Sequence, residues 1–157
     1  MEIFIASSAD EYESGKQLFL EYAESLGFSI CFQNFGQELI DIRQQYGVPE
    51  GCLLLVRDKG QAIGCAGIRR WKDDVAELKR MYLQPVTRGL GMGRQLLTAA
   101  LEHAIQLGYR SIRLDTLPDM KAAIALYREA GFIDIPAYRE NPFEGTLYLE
   151  KTLVEIS

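Results

Sequence analysis

Apolar positions change their period several times along the chain, and each change marks an element. Glu2 to Ala6 alternates weakly and reads as a first strand. Ser8-Ala9-Asp10-Glu11 has the spacing of a capping box, in which the Ser8 and Glu11 side chains satisfy free amides at a helix start. Leu18, Phe19, Tyr22 and Leu26 then recur at helical spacing, and Gly27 ends the helix. Phe35, Leu39, Ile42 and Tyr46 form a second apolar stripe, which predicts one helix stopped by Gly47-Val48-Pro49.

After Pro49 the texture turns to strands. Cys52-Leu53-Leu54-Leu55-Val56 reads as a buried strand, with Asp58-Lys59-Gly60 as a hairpin turn. Ala62 to Trp71 is the next strand, where Gly64 and Gly67 leave space for a neighbour or a bend. Lys72-Asp73-Asp74 turns the chain into a strand over Val75 to Leu83. A long helix runs from about Gly91 to Leu107, with Leu96, Leu97, Ala100, Leu101 and Ala104 on one face and Gly108 as its cap. Ser111 to Thr116 is a strand, Asp119 to Ala130 a helix closed by Gly131, and Thr146 to Leu153 a final strand. The order β-α-α-β-β-β-α-β-α-β, with room for a short strand near Phe132 to Ile135, predicts a mixed α/β sheet with helices on its faces.

Composition narrows the field. A chain of 157 residues suits one domain with one core. The net charge of −5 argues against a nucleic-acid partner and suits a cationic one. No apolar run is long enough to span a membrane, and Met1-Glu2-Ile3 lacks the basic start of a signal peptide. Cys31, Cys52 and Cys65 show no metal-ligand spacing and sit among apolar residues, so they read as reduced, buried hydrophobes of a cytoplasmic protein. His103 has no second ligand beside it, and no metal site is expected.

The informative segment is Gln84-Pro85-Val86-Thr87-Arg88-Gly89-Leu90-Gly91-Met92-Gly93-Arg94, a strand-to-helix turn with three alternating glycines. Amides at a helix start lack partners and carry the positive end of the dipole, so they suit a phosphate. Glycine lets that backbone approach a ligand closely. Arg88 and Arg94 flank the start where acids are normally favoured, and no acid appears before Glu102, which is unfavourable unless an anion joins them. A flexible turn with solvated arginines is the simpler alternative. A Walker P-loop would need Gly-Lys-Ser/Thr, which is absent. Asp115 could supply the acid of a dinucleotide fingerprint, but the glycine spacing is wrong.

Arg88-Gly89-Leu90-Gly91-Met92-Gly93 resembles the Arg/Gln-x-x-Gly-x-Gly/Ala motif of the GNAT superfamily of N-acetyltransferases. The preceding strand Glu77-Leu78-Lys79-Arg80-Met81-Tyr82-Leu83 agrees, and Leu126-Tyr127-Arg128-Glu129-Ala130-Gly131-Phe132 is similar to the family's Leu-Tyr-x-x-x-Gly-Phe signature. The resemblance spans about Cys52 to the C-terminus and implies a central mixed, mostly antiparallel sheet with helices on both faces. It also implies acetyl-CoA as co-substrate, with pantetheine beside Met81, Tyr82 and Leu83, in a gap between that strand and Ser111–Thr116. The pyrophosphate would rest on amides from Gly89 through Leu90, Gly91, Met92 and Gly93 to Arg94, beside Arg88. One departure stands out: many relatives carry Asn at the position of Met120.

The implied reaction is direct attack of a primary amine, on a small molecule or a peptide, in a ternary complex. An alkylamine of pKa near 10.4 costs about 4.6 kcal/mol to neutralise at pH 7, so a base is useful. The resemblance points to Glu77 as base, with Asp115 in reserve; Glu77 is otherwise a strand carboxylate facing solvent or paired with Lys79 or Arg70. It assigns the oxyanion donor to the amide of Met81 and the general acid to Tyr127, whose alternative is a packed core tyrosine. Lys79 and Arg80 interrupt a central strand, where alternation puts them on opposite faces, and a paired surface charge is the simpler account. Tyr138 to Gly145 is a loop that could shape an acceptor pocket, although turn chemistry explains Asn141, Pro142 and Gly145 equally well. A homodimer is compatible with the family's habits. The competing reading is a catalytically inactive acyl-CoA-binding regulatory module.

Overall fold

The computed structural model describes residues 1–27, 34–141 and 143–153, so Cys31 and Pro142 lie outside the described residues. The elements are β1 (Glu2–Ile5), α1 (Ala9–Ser25), α2 (Phe35–Ile40), α3 (Ile42–Gln45), β2 (Cys52–Asp58), β3 (Gln61–Lys72) and β4 (Val75–Leu83). They continue with α4 (Met92–Gln106), β5 (Ser111–Thr116), α5 (Lys121–Glu129), β6 (Ile133–Asp134) and β7 (Leu147–Thr152). The strands form one sheet in the order β1-β2-β3-β4-β5-β7-β6. Every pairing is antiparallel except β4 with β5, because that connection passes through α4 rather than a hairpin.

Alternation along β2 explains the two layers of helices. Leu54 and Val56 enter a core with Leu96, Leu97, Ala100 and Ala104 of α4. Leu53 and Leu55 point the other way, to Leu18 and Phe19 of α1, Phe35 of α2, and Tyr46. A strand buried on both faces must be apolar throughout, as Cys52 to Val56 is. Ser8 caps α1 as the spacing predicts: its hydroxyl accepts from the Glu11 amide at 3.1 Å, and its own amide donates to the Glu11 carboxylate at 3.1 Å.

Two local outcomes differ from the periodicity. The stripe from Phe35 to Tyr46 is not one helix, because Asp41 at φ −98° and ψ 19° separates α2 from α3. The break turns Tyr46 under the sheet, where its ring packs edge-on to Phe19 at 5.5 Å and occupies the space a side chain at Gly67 would need. The second outcome is a bulge in β4, which shapes the site.

Candidate active site

β4 and β5 pair only at Val75–Ser111, Ala76–Ile112 and Glu77–Arg113, although β5 continues to Thr116 and β4 to Leu83. Beyond Glu77 the strands part. On the far side β5 stays paired to β7 along its whole length, so the parting is confined to the β4 side. A mainly apolar cleft of about 540 Å³ follows, lined by Tyr22, Met81, Tyr82, Leu83, Arg88, Gly93 and Met120 among others.

Within β4, Arg80 and Met81 together face the single residue Ala66, since Cys65 pairs with Tyr82 and Gly67 with Lys79. This is a β-bulge. Arg80 takes φ 58°, a left-handed conformation that costs a residue with a Cβ about 1–2 kcal/mol. The bulge resets the phase of the strand: Ala76 and Leu78 before it, and Met81 and Leu83 after it, all pack on the α4 side. Lys79 and Arg80 therefore do not take opposite faces as plain alternation predicts. Lys79 Nζ lies 3.7 Å from Asp115 Oδ1, and Arg80 reaches Glu38 of α2. Nor are they surface charges, being 3% and 6% exposed.

Glu77 is 0% exposed, and its ion pairs are to Arg69 and Arg139 rather than to solvent or Arg70. The register places it opposite Arg69, whose Nε donates to Oε1 at 3.0 Å. On Oε2 it accepts from Tyr138 at 3.0 Å and from Arg139. Arg70 points away to Glu50 at 3.1 Å. Burial works to raise the Glu77 pKa, but the charges of Lys79, Arg69 and Arg139 more than offset it and hold the carboxyl below its usual range. The Tyr138–Arg139 segment is thereby docked: Tyr138 packs edge-on to Trp71 at 4.8 Å and to Tyr148 at 5.4 Å.

Asp115 is in a different state. Its Oδ2 is buried and has no hydrogen-bond partner among the described residues. Its neighbour Lys79 has a pKa lowered to about 8, first by burial and then by the Arg80 charge.

Tyr127 of α5 is buried and directs its hydroxyl at Met81 Sδ, 4.0 Å away. Burial pushes its pKa well up, so the hydroxyl keeps its proton. On the opposite wall Tyr22 of α1 lines the cleft and donates to Met120 Sδ at 3.7 Å, where Thr116 Oγ1 also points at 3.8 Å. Sequence reasoning placed Tyr22 only in an apolar stripe; a hydroxyl on such a stripe is the one signal that could have marked it. The Met120 thioether thus gathers two hydroxyls at the end of the cleft.

The glycine turn carries positive φ at Gly89 (77°) and Gly91 (72°), and Gly91 opens α4 with no side-chain cap and no acid in its first turn. Its amides are left for a ligand or water. Gly93 is where α4 meets α5, since a Cβ there would stand 2.8 Å from Leu126. That approach corrects one charge argument: Arg94 Nη2 donates to both carboxylate oxygens of Glu129 on α5 at 3.0 and 2.8 Å, so it already has an anion. Arg88 is exposed at the cleft, with no acidic partner among the described residues.

Residues 16–132 match the acetyltransferase (GNAT) family. The chain belongs to the GNAT family. It is 35% identical over 136 residues to an uncharacterized N-acetyltransferase of Schizosaccharomyces pombe, covering 85% of this chain and 83% of that one. Among solved structures it is similar to a putative acyl-CoA N-acyltransferase from Klebsiella pneumoniae, with TM-score 0.73, 28% identity, and coverage of 98% and 97%. A putative acetyltransferase from Salmonella typhimurium, solved with acetyl-CoA, shares the fold at TM-score 0.74 and 18% identity over 99% and 95% of the two chains. This GNAT chain is an acyltransferase with the mixed, mostly antiparallel sheet of its family.

Of the residues the GNAT motif singles out, Met81, Tyr82, Leu83, Arg88 and Gly93 line the cleft together. Gly89, Leu90, Gly91 and Arg94 form the turn and first helical residues beside it, while Met92 turns its side chain into the core. Cys52 and Cys65 are buried free thiols, and burial pushes Cys52 to about 12. No cluster among the described residues could hold a metal ion, and no described helix is long and apolar enough to cross a membrane.

Proposed function

We propose that this GNAT protein transfers the acetyl group of acetyl-CoA to a primary amine of a small molecule or peptide, by direct attack in a ternary complex. The observation that carries the reading is the parting of β4 from β5 beside a cleft lined by Met81 and by Arg88 and Gly93 of the glycine turn, with the Tyr127 hydroxyl directed at Met81 Sδ. The pyrophosphate sits on the amides of Gly89 to Arg94, with Arg88 as its cation, and the pantetheine arm follows Met81 to Leu83. The Met81 amide, which follows the bulge, meets the oxyanion.

Nitrogen attacks the thioester carbon, the C–S bond breaks, and Tyr127 donates its proton to the leaving sulfur. For the proton lost from nitrogen, Glu77 is poorly placed to serve as base, because its oxygens already accept from Arg69, Tyr138 and Arg139. We assign it instead to holding the Tyr138–Arg139 segment against the sheet. Asp115, with one oxygen unmatched and Lys79 beside it, is the better acceptor for the amine proton. The buried thiols of Cys52 and Cys65 support a reducing, cytoplasmic setting.

The test is calorimetric titration with acetyl-CoA against ATP, followed by thiol release across a panel of amines. Selective acetyl-CoA binding with amine-dependent thiol release supports the reading. Binding without release from any amine would make the chain a regulatory module. Equal binding of ATP would remove the cofactor assignment.

A further inference from the structure

Glu38 lies on α2 and is 2% exposed. Its carboxylate is matched to the bulge. Arg80 Nε donates to Oε2 at 3.0 Å and Arg80 Nη2 to Oε1 at 2.8 Å, and the Tyr46 hydroxyl donates to Oε2 at 2.9 Å. The guanidinium also lies over the Phe35 ring at 5.4 Å. From the other side the Cys65 thiol donates to the Arg80 carbonyl at 3.3 Å. Residue 80 is therefore gripped at both ends: its side chain by Glu38 and Phe35 of α2, its carbonyl by Cys65 of β3.

A left-handed arginine in mid-strand persists only where its surroundings hold it. A buried ion pair is in itself weak evidence for stability, because well-packed apolar residues can replace it at little cost. What the pair does secure is direction. Arg80 is the residue before Met81, so the peptide plane that joins them turns with the Arg80 backbone. The amide of Met81 belongs to that plane.

We propose that Glu38 is a positioning residue for acetyl transfer: by clamping Arg80 it fixes the bulge so that the Met81 amide points at the thioester carbonyl. This rests on the reading that acetyl-CoA occupies the cleft. The same short helix that covers the sheet beside the site thus sets the aim of a donor it never touches. Tyr46 orients the clamp through its single hydroxyl.

The probe is acetyl-CoA labelled with ¹³C at the acetyl carbonyl, whose resonance moves when an amide hydrogen bond polarises it. In the unaltered protein the bound resonance is displaced from its free value. In Glu38→Gln the displacement shrinks by at least half, while the acetyl-CoA Kd stays within about threefold, because the pyrophosphate and arm contacts are untouched. Tyr46→Phe removes only the orienting hydroxyl, keeps the ring that fills the space at Gly67, and shifts the resonance the same way by less; it serves if Glu38→Gln fails to fold. A displacement equal to that of the unaltered protein in every folded variant overturns the inference and leaves the cofactor reading standing. Binding by the unaltered protein with no displacement overturns both the clamp and the Met81 assignment. No binding at all overturns the cofactor reading, and the inference with it.

Discussion

Arg69 and Glu77 face each other across the β3–β4 ladder, with Arg69 Nε 3.0 Å from Glu77 Oε1. Arg139 closes on the same carboxylate from the loop before β7. One strand carboxylate thereby ties two sheet strands to a distant loop.

Removing that carboxylate leaves two partly buried guanidinium groups without their anion. Glu77→Ala is expected to lose about 3–5 kcal/mol of stability, and Glu77→Gln less, because the amide still accepts one bond. Urea denaturation reads this directly. A loss below about 1 kcal/mol would mean that water already screens the cluster.

Tyr127→Phe removes the hydroxyl and keeps the ring that packs against Phe132 at 5.6 Å. With that contact preserved, the Kd for acetyl-CoA stays near its original value while kcat falls by about 10²-fold or more, the usual worth of a positioned acid. A kcat within a factor of about two would return Tyr127 to a purely structural role.

Lys79 gives stability a pH signature. Its folded pKa of about 8 lies below the ordinary lysine value near 10.4, so between them the unfolded chain holds more protons than the folded one. Stability from this group is therefore constant below pH 8 and rises with pH through that window, by about 3 kcal/mol at most. The groups that set the shift are Arg80 and Glu77 on its own strand, Asp115 on β5 and Arg139 from the loop. Cys52 and Cys65, whose pKa values burial raises, act in the opposite sense at alkaline pH. The informative quantity is thus the difference between the unaltered protein and Lys79→Met, which should climb from pH 8 upward. A flat difference would place Lys79 in contact with water.

The two arginines of the glycine turn should separate. Arg88→Ala is expected to raise the acetyl-CoA Kd by about 5- to 10-fold and to flatten its salt dependence, since Arg88 is the cation without an acidic partner. Arg94→Ala should change Kd by no more than about twofold, because Glu129 already holds that side chain at the surface. Equal effects from both would show that the ion pair to Glu129 opens on binding.

Much of this was legible in the sequence, because most of the elements obey their periods. The capping box at Ser8, the continuous apolar run of β2 and the glycine that starts α4 each came from local chemistry. What escaped depends on register or on distant packing. The face of Arg80 could not follow from alternation, since a bulge adds one residue and reverses the phase. The partner of Glu77 was Arg69 rather than Arg70 because only the ladder decides which of two adjacent side chains shares its face. Arg94 found Glu129 because Gly93 lets α4 approach α5. Tyr22 and Glu38 reach the site only through the way α1 and α2 lie on the sheet, which no spacing encodes.

The early end of the β4–β5 ladder has one more consequence. Past Glu77 and Arg113 the two strands no longer offer their backbones to each other, so the sheet is a book whose pages, β1 to β4 and β5 to β6, meet only along a short spine. A ligand arm carrying its own amides can enter between the pages as a substitute strand. On the proposed reading the sheet is complete only when loaded, and the seam left open between β4 and β5 is also its point of use.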